Sequence, residues 1–165
     1  MFELKPLTLS AVPSALARAE RYRLLNEPEQ CLSICEDVLR ADPGNHAATV
    51  MLILAITDHF PHSTRETPRA TNLAANLPLA YERSYYAGLI AERRARALLS
   101  HGGMGTRGAS QWLHQAMAAY ERADALRPPD NDDARLRWNA CARVFNAHPD
   151  LLTEDDQPNA PLMLE

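Results

Sequence analysis

Residues 116–128 read Ala-Met-Ala-Ala-Tyr-Glu-Arg-Ala-Asp-Ala-Leu-Arg-Pro. Small Ala116, aromatic Tyr120 and small Ala123 recur at helical spacing on one face, and Pro128 stops the helix because it brings no backbone N–H and clashes with the preceding turn. The same spacing returns at Cys31, Cys35, Val38 and Pro43. Each stretch follows a helical pattern with a small residue of its own, Ala19 with Tyr22 three later, and Gly88 with Ala91. Small side chains let two helices approach, an aromatic fills the space one turn on, and the proline turns the chain into the next element. The expected class is therefore all-α, built from helical hairpins.

Working outward, about seven helices are expected. The first takes Ser10 as N-cap with Pro13 in its first turn and carries Ala15, Leu16, Ala19 and Tyr22. The second starts near Pro28, buries Cys31, Leu32, Cys35, Val38 and Leu39, and stops at Asp42-Pro43-Gly44-Asn45. The third, His46 to about Phe60, has the most apolar face, and Pro61 ends it. In the fourth, Thr67 is the expected cap, and Ala70, Leu73, Ala74 and Leu77 form its stripe before Pro78. A long fifth helix over 79–99 leads into the glycine-rich stretch 100–110. A sixth covers 109–126 and a seventh 132–146. Residues 1–148 read as one helical domain and 149–165 as an acidic, proline-containing tail.

Composition agrees. The chain has 165 residues, enough for one domain and one sizeable core, with 46% hydrophobic, 23% charged and only 6% aromatic residues. The apolar mass is alanine and leucine, which favours helices over sheets. A net charge of −4 provides no basic field for nucleic acid or a membrane surface. The ten-residue stretch 47–56, apolar but for Thr49, falls short of the roughly 20 that a membrane span needs. Leu7 to Ala17, interrupted by Pro6 and Pro13, reads as a helix start rather than a signal peptide. Cys31, Cys35 and Cys141 make no disulfide framework, so the expected compartment is reducing and cytoplasmic.

The repeated small, aromatic, small, proline spacing over about Val12 to Phe145 resembles the tetratricopeptide repeat (TPR), in which helix pairs recur about every 34 residues. The resemblance implies a right-handed solenoid of about three and a half helix pairs. Its middle unit departs from the pattern, with Glu66, Ala70 and Leu73 at the equivalent positions. In the third unit Gly88 to Ala116 is 28 residues where Ala19 to Cys31 is 12, an insertion of 16 that should elongate that hairpin. The seventh helix, with Ala134, Trp138, Cys141 and Phe145 on one face, resembles the helix that closes the last repeat.

Chemistry-bearing motifs are few. Gly103 to Gly108 matches G-x-G-x-x-G, but a helix precedes it where a dinucleotide site has a strand. A flexible connection is the plainer reading, and a weak anion or nucleotide site over 102–108 with Arg107 is the alternative. Cys31 and Cys35 share a face yet lack further ligands, and His59, His62 and Asp58 likewise fall short of a metal set. No Ser or Cys is paired with a positioned base. Neither a catalytic residue, a metal nor a cofactor is expected, and the chain reads as a non-enzyme. The basic run Arg93, Arg94, Arg96 with Arg83 reads as a solvated face beside Glu82 and Glu92, or as a docking patch for an acidic partner.

What the TPR resemblance implies for function is a scaffold or adaptor that binds a peptide or partner helix in a concave groove lined by the first helix of each pair. Carried onto this chain, the lining is Leu16, Glu20, Arg23 and Leu24, then Val50, Leu54 and Asp58, then Tyr85, Leu89, Glu92 and Arg93. The Lys and Asn with which some TPR proteins clamp a chaperone's carboxylate are missing from these positions. The lining suits an apolar or amphipathic ligand held by Val50, Leu54, Tyr85 and Leu89, with Arg23 and Arg93 selecting acidic flanks. Val50 and Leu54 are equally open to plain helix packing. A second implied role is that of the small acidic TPR chaperones of type III secretion, which keep apolar translocators in solution. The apolar ending Pro161 to Glu165 could enter the chain's own groove or a neighbour's, which would build a homodimer.

Overall fold

The structure, a computed structural model, describes residues 2–100 and 106–152, without the side chains of 106 and 107. Seven helices make up the described chain: α1 (Val12–Leu24), α2 (Pro28–Ala41), α3 (His46–Asp58), α4 (Thr67–Ala75), α5 (Ala80–Ser100), α6 (Thr106–Ala125) and α7 (Asp133–Ala147). Short 3₁₀ turns flank them at Leu9–Ala11 and Pro149–Leu151, and no strand occurs among the described residues.

Local chemistry explains the boundaries. Pro13, Pro28 and Pro68 sit in the first two positions of α1, α2 and α4, where a missing N–H costs nothing. Helix α1 ends in a Schellman turn: Asn26 takes φ 61°, the Glu27 amide donates to the Tyr22 carbonyl at 2.9 Å and the Asn26 amide to that of Arg23 at 3.0 Å. Asn45 caps α3, its side-chain oxygen accepting from the Ala48 amide at 2.9 Å.

Four details differ from the sequence reading. Ser10 lies in the 3₁₀ turn, its hydroxyl directed to Thr8, and caps nothing. Thr67 is the first residue of α4 and donates to the Thr64 carbonyl at 2.7 Å instead of capping. Helix α3 stops at Asp58 and α4 at Ala75, yet Phe60 and Leu77, just past those ends, are buried. Turns carry both side chains back into the core, so their apolar periodicity outlasts the helices. The packed body also runs past residue 148, since Leu151 is buried against α6 and α7.

Each helix packs on its chain neighbours, and the odd-numbered helices also touch along one layer, α1 to α3, α3 to α5 and α5 to α7. Helices α2, α4 and α6 make no comparable contact with one another. The array is thus pinched along its odd-helix layer. Helix α5 separates two apolar clusters, giving Ile90, Ala97 and Tyr86 to the one under α3 and α4, and Ala91, Ala95, Tyr81 and Tyr85 to the one under α6 and α7. The most extensive packing is that of α5 on α6, the longest hairpin. A Cβ built on Gly88 would lie 2.7 and 2.8 Å from carbons of the buried Tyr120 ring, so only glycine lets that ring sit there.

Candidate functional site

The odd-helix layer is laced by two ion-pair clusters. Asp58, the last residue of α3, accepts from Arg23 Nε of α1 at 2.6 Å and pairs with Arg93 Nη1 of α5 at 2.7 Å. A carboxylate at a helix C-terminus opposes the helix dipole. Here two guanidiniums offset it. Arg93 Nη1 also donates to the Leu54 carbonyl at 3.1 Å and to Thr57 Oγ1 at 2.5 Å, satisfying groups at the end of α3. Burial, and then the positive charges of Arg23 and Arg137, pull Arg93 below the usual guanidinium range against the opposing effects of Asp58 and Glu92.

The second cluster surrounds Glu92, which is 1% exposed. Its Oε2 accepts from the Tyr120 hydroxyl at 2.8 Å, its Oε1 accepts from Arg96 Nε at 2.9 Å, and Arg137 Nη1 of α7 lies 3.6 Å away. A buried carboxylate is tolerable only when paired in this way. Burial, and then the charge of Glu92, push the Tyr120 hydroxyl far above its ordinary value. Tyr85 contacts Arg137 through its hydroxyl and packs its ring against Tyr81, Tyr86 and Tyr120. Burial first, then nearby Tyr85 and Glu82, push Tyr86 up to about 12.

Between the C-terminal halves of α3 and α5 lies a recess of about 350 Å³ lined by Thr57, Asp58, Pro61, Arg93, Arg96, Ala97 and Ser100. That volume falls within the range of small-ligand and side-chain pockets. Its accessible charge is positive: the Arg96 side chain is 47% exposed, whereas Asp58 is held by two arginines.

The expected lining therefore divides. Arg23, Asp58 and Arg93 come together on the odd-helix face, with Leu54 half-buried beside them. Glu20 and Leu24 are exposed on α1. Leu16 packs toward Val12, Val38 and Ala48, and Val50 packs against the α3 core, so both serve the interior. Leu89 and Glu92, expected to face a ligand, are buried instead, because α5 turns them toward its neighbours. The basic run also splits. Arg94 leaves by the opposite side, donating to Thr67 Oγ1 at 2.7 Å with its guanidinium over the Trp112 ring at 4.9 Å. Glu82 pairs with His46 at 2.8 Å rather than with an arginine of its own helix.

Arg137 went unforeseen, whereas Arg96 belonged to the expected basic run. Arg96 was readable from its i, i+4 relation to Glu92, but Arg137 joins the site from 45 residues away and has no local signal. The glycine stretch lies mostly outside the described residues, as does the Arg107 side chain, while Gly108 opens the first turns of α6 near Leu98. Cys31 and Cys35 are buried, and contact with Cys31, then burial, raise the Cys35 thiol well above its usual range. Among the described residues no three His, Cys, Asp or Glu side chains are placed to hold a metal. No helix there is long and apolar enough to cross a membrane. No protein-family model matches the chain, and no match was found among curated proteins or solved structures.

Proposed function

We propose that this chain is a TPR-like solenoid whose odd helices line a concave face, and that it works as a non-enzymatic adaptor for an acidic, amphipathic peptide or partner helix. The observation that carries the reading is the pair of clusters on that face, where, among the described residues, Arg23, Arg93, Arg96 and Arg137 meet only Asp58 and Glu92. Four guanidiniums against two carboxylates leave an excess of two positive charges on a chain whose net charge is −4. Partner acids would pair with Arg96 and Arg137, and an apolar side chain would enter the recess beside Pro61 and Ala97, with half-buried Leu54 adjoining through its carbonyl bond to Arg93. Three buried free thiols suit a reducing, cytoplasmic setting.

The test is selection of peptides from a displayed random library on the full chain. Enriched sequences should place Asp or Glu beside an apolar anchor, and their binding should weaken by about tenfold in a Leu54→Ala, Arg96→Gln double variant. Enrichment of basic sequences, or binding indifferent to the double change, would remove the proposal.

A further inference from the structure

The recess between α3 and α5 opens at the end of the molecule where the described chain leaves. Leu98 of α5 lies beside Gly108 of α6, the ring of His114 lies 4.7 Å from that of Phe145 in α7, and Leu151 is buried in the same cluster. Arg96 is close enough to Cys141, one turn before Phe145, to influence its thiol. The chain therefore leaves from Pro149–Leu151, which packs on α6 and α7, and α7 in turn touches α5. Residues 153–156 can extend by about 13 Å, more than one helix-to-helix spacing of 8–10 Å.

The sequence beyond Leu152 is complementary in charge to the lining of the recess. Residues 150–165 contain Asp150, Glu154, Asp155, Asp156 and Glu165 and not one Lys or Arg. Two exposed cations stand beside Glu92 on the odd helices, Arg96 and, at 38% exposure, Arg137. Both touch Glu92, so each has guanidinium donors left for a second carboxylate.

We propose that the segment 153–165 docks in cis on this face, with Glu154, Asp155 and Asp156 on Arg96 and Arg137, so that an acidic partner binds by displacing it. The idea rests on the adaptor reading of the same face and adds its regulation: the chain carries its own competitor. The carboxylates, rather than the apolar ending, make the primary contact.

The experiment compares the nitrogen-15 spectrum of the arginine Nε–H groups in the full chain and in a chain ending at Leu152, which keeps the buried Leu151. On truncation the signals of Arg96 and Arg137 should shift, and adding a synthetic peptide of residues 153–165 should restore them. Peptide affinity should fall several-fold as ionic strength rises from about 0.01 to 0.15 M, where the screening length shrinks from about 30 to 8 Å. It should also fall by about tenfold in Arg96→Gln, or when the three acids become amides. Identical arginine spectra with and without the segment would overturn the proposal. So would shifts that grow with protein concentration, since these mean docking between copies. A truncated chain that ignores the 153–165 peptide yet binds the library-selected peptides loses only the competitor, whereas one that binds neither loses the adaptor reading as well.

Discussion

Replacing Gly88 by alanine tests the close packing on which the α5–α6 hairpin depends. The added methyl would lie 2.7, 2.8 and 3.1 Å from three carbons of the Tyr120 ring. That ring cannot swing away, being fully buried and held through its hydroxyl by Glu92. Overpacking of this kind costs about 1–3 kcal/mol, and contacts below 3 Å on a fixed ring belong near the top of that range. Alanine returns up to about 1 kcal/mol because glycine is a poor residue inside a helix. The expected net loss is about 1–2 kcal/mol, a fall of roughly 0.5–1 M in the urea midpoint with an unchanged slope. Equilibrium unfolding followed by helix ellipticity reads it directly. The same substitution in a Tyr120→Leu background isolates the cause. With the ring gone only the helix preference remains, and Gly88→Ala should become neutral or stabilising, a coupling of about 2–3 kcal/mol between the two sites. A Gly88→Ala chain more stable than the wild type would refute the close-packing account.

Asp58→Asn leaves Arg23 and Arg93 facing each other without their shared carboxylate, all three side chains being less than a quarter exposed. It should cost about 2–3 kcal/mol in urea unfolding, while Asp37→Asn, which breaks an exposed pair with Arg40, should change stability by less than about 0.5 kcal/mol. At Asn26, held at φ 61°, alanine should lower stability by about 1 kcal/mol and glycine should match or exceed asparagine in thermal unfolding. Equal melting of the alanine and asparagine chains would remove the Schellman account of that turn.

Much of the helical order was legible because its signals are local. Pro13, Pro28 and Pro68 start helices for reasons confined to one turn, and the recurrence of small residues with Tyr120 announced a tight interface that Gly88 provides. Helix ends were harder: Phe60 and Leu77 obey the helical period although the backbone has already turned, since a buried side chain answers to the core and not to the helix bearing it. The site was legible only in part. The repeat resemblance put Arg23, Asp58 and Arg93 on one face, and they do meet. Burial of Glu92 was hidden because its partners Tyr120 and Arg137 are 28 and 45 positions away. The run Arg93-Arg94-Arg96 looked like one patch, but each step along a helix rotates about 100°, which sends Arg93 to α3 and Arg94 to Thr67.

Glu92 also bears on how such a row of helices would come apart. Arrays in which each member leans mainly on its neighbours ordinarily fray from their tips, one unit peeling at a time. Peeling α7 removes Arg137 from Glu92, and peeling α6 removes Tyr120 and uncovers the carboxylate. Opening at that tip therefore forfeits charge contacts to Glu92 as well as apolar burial, which ties α6 and α7 to α5 more firmly than neighbour packing alone.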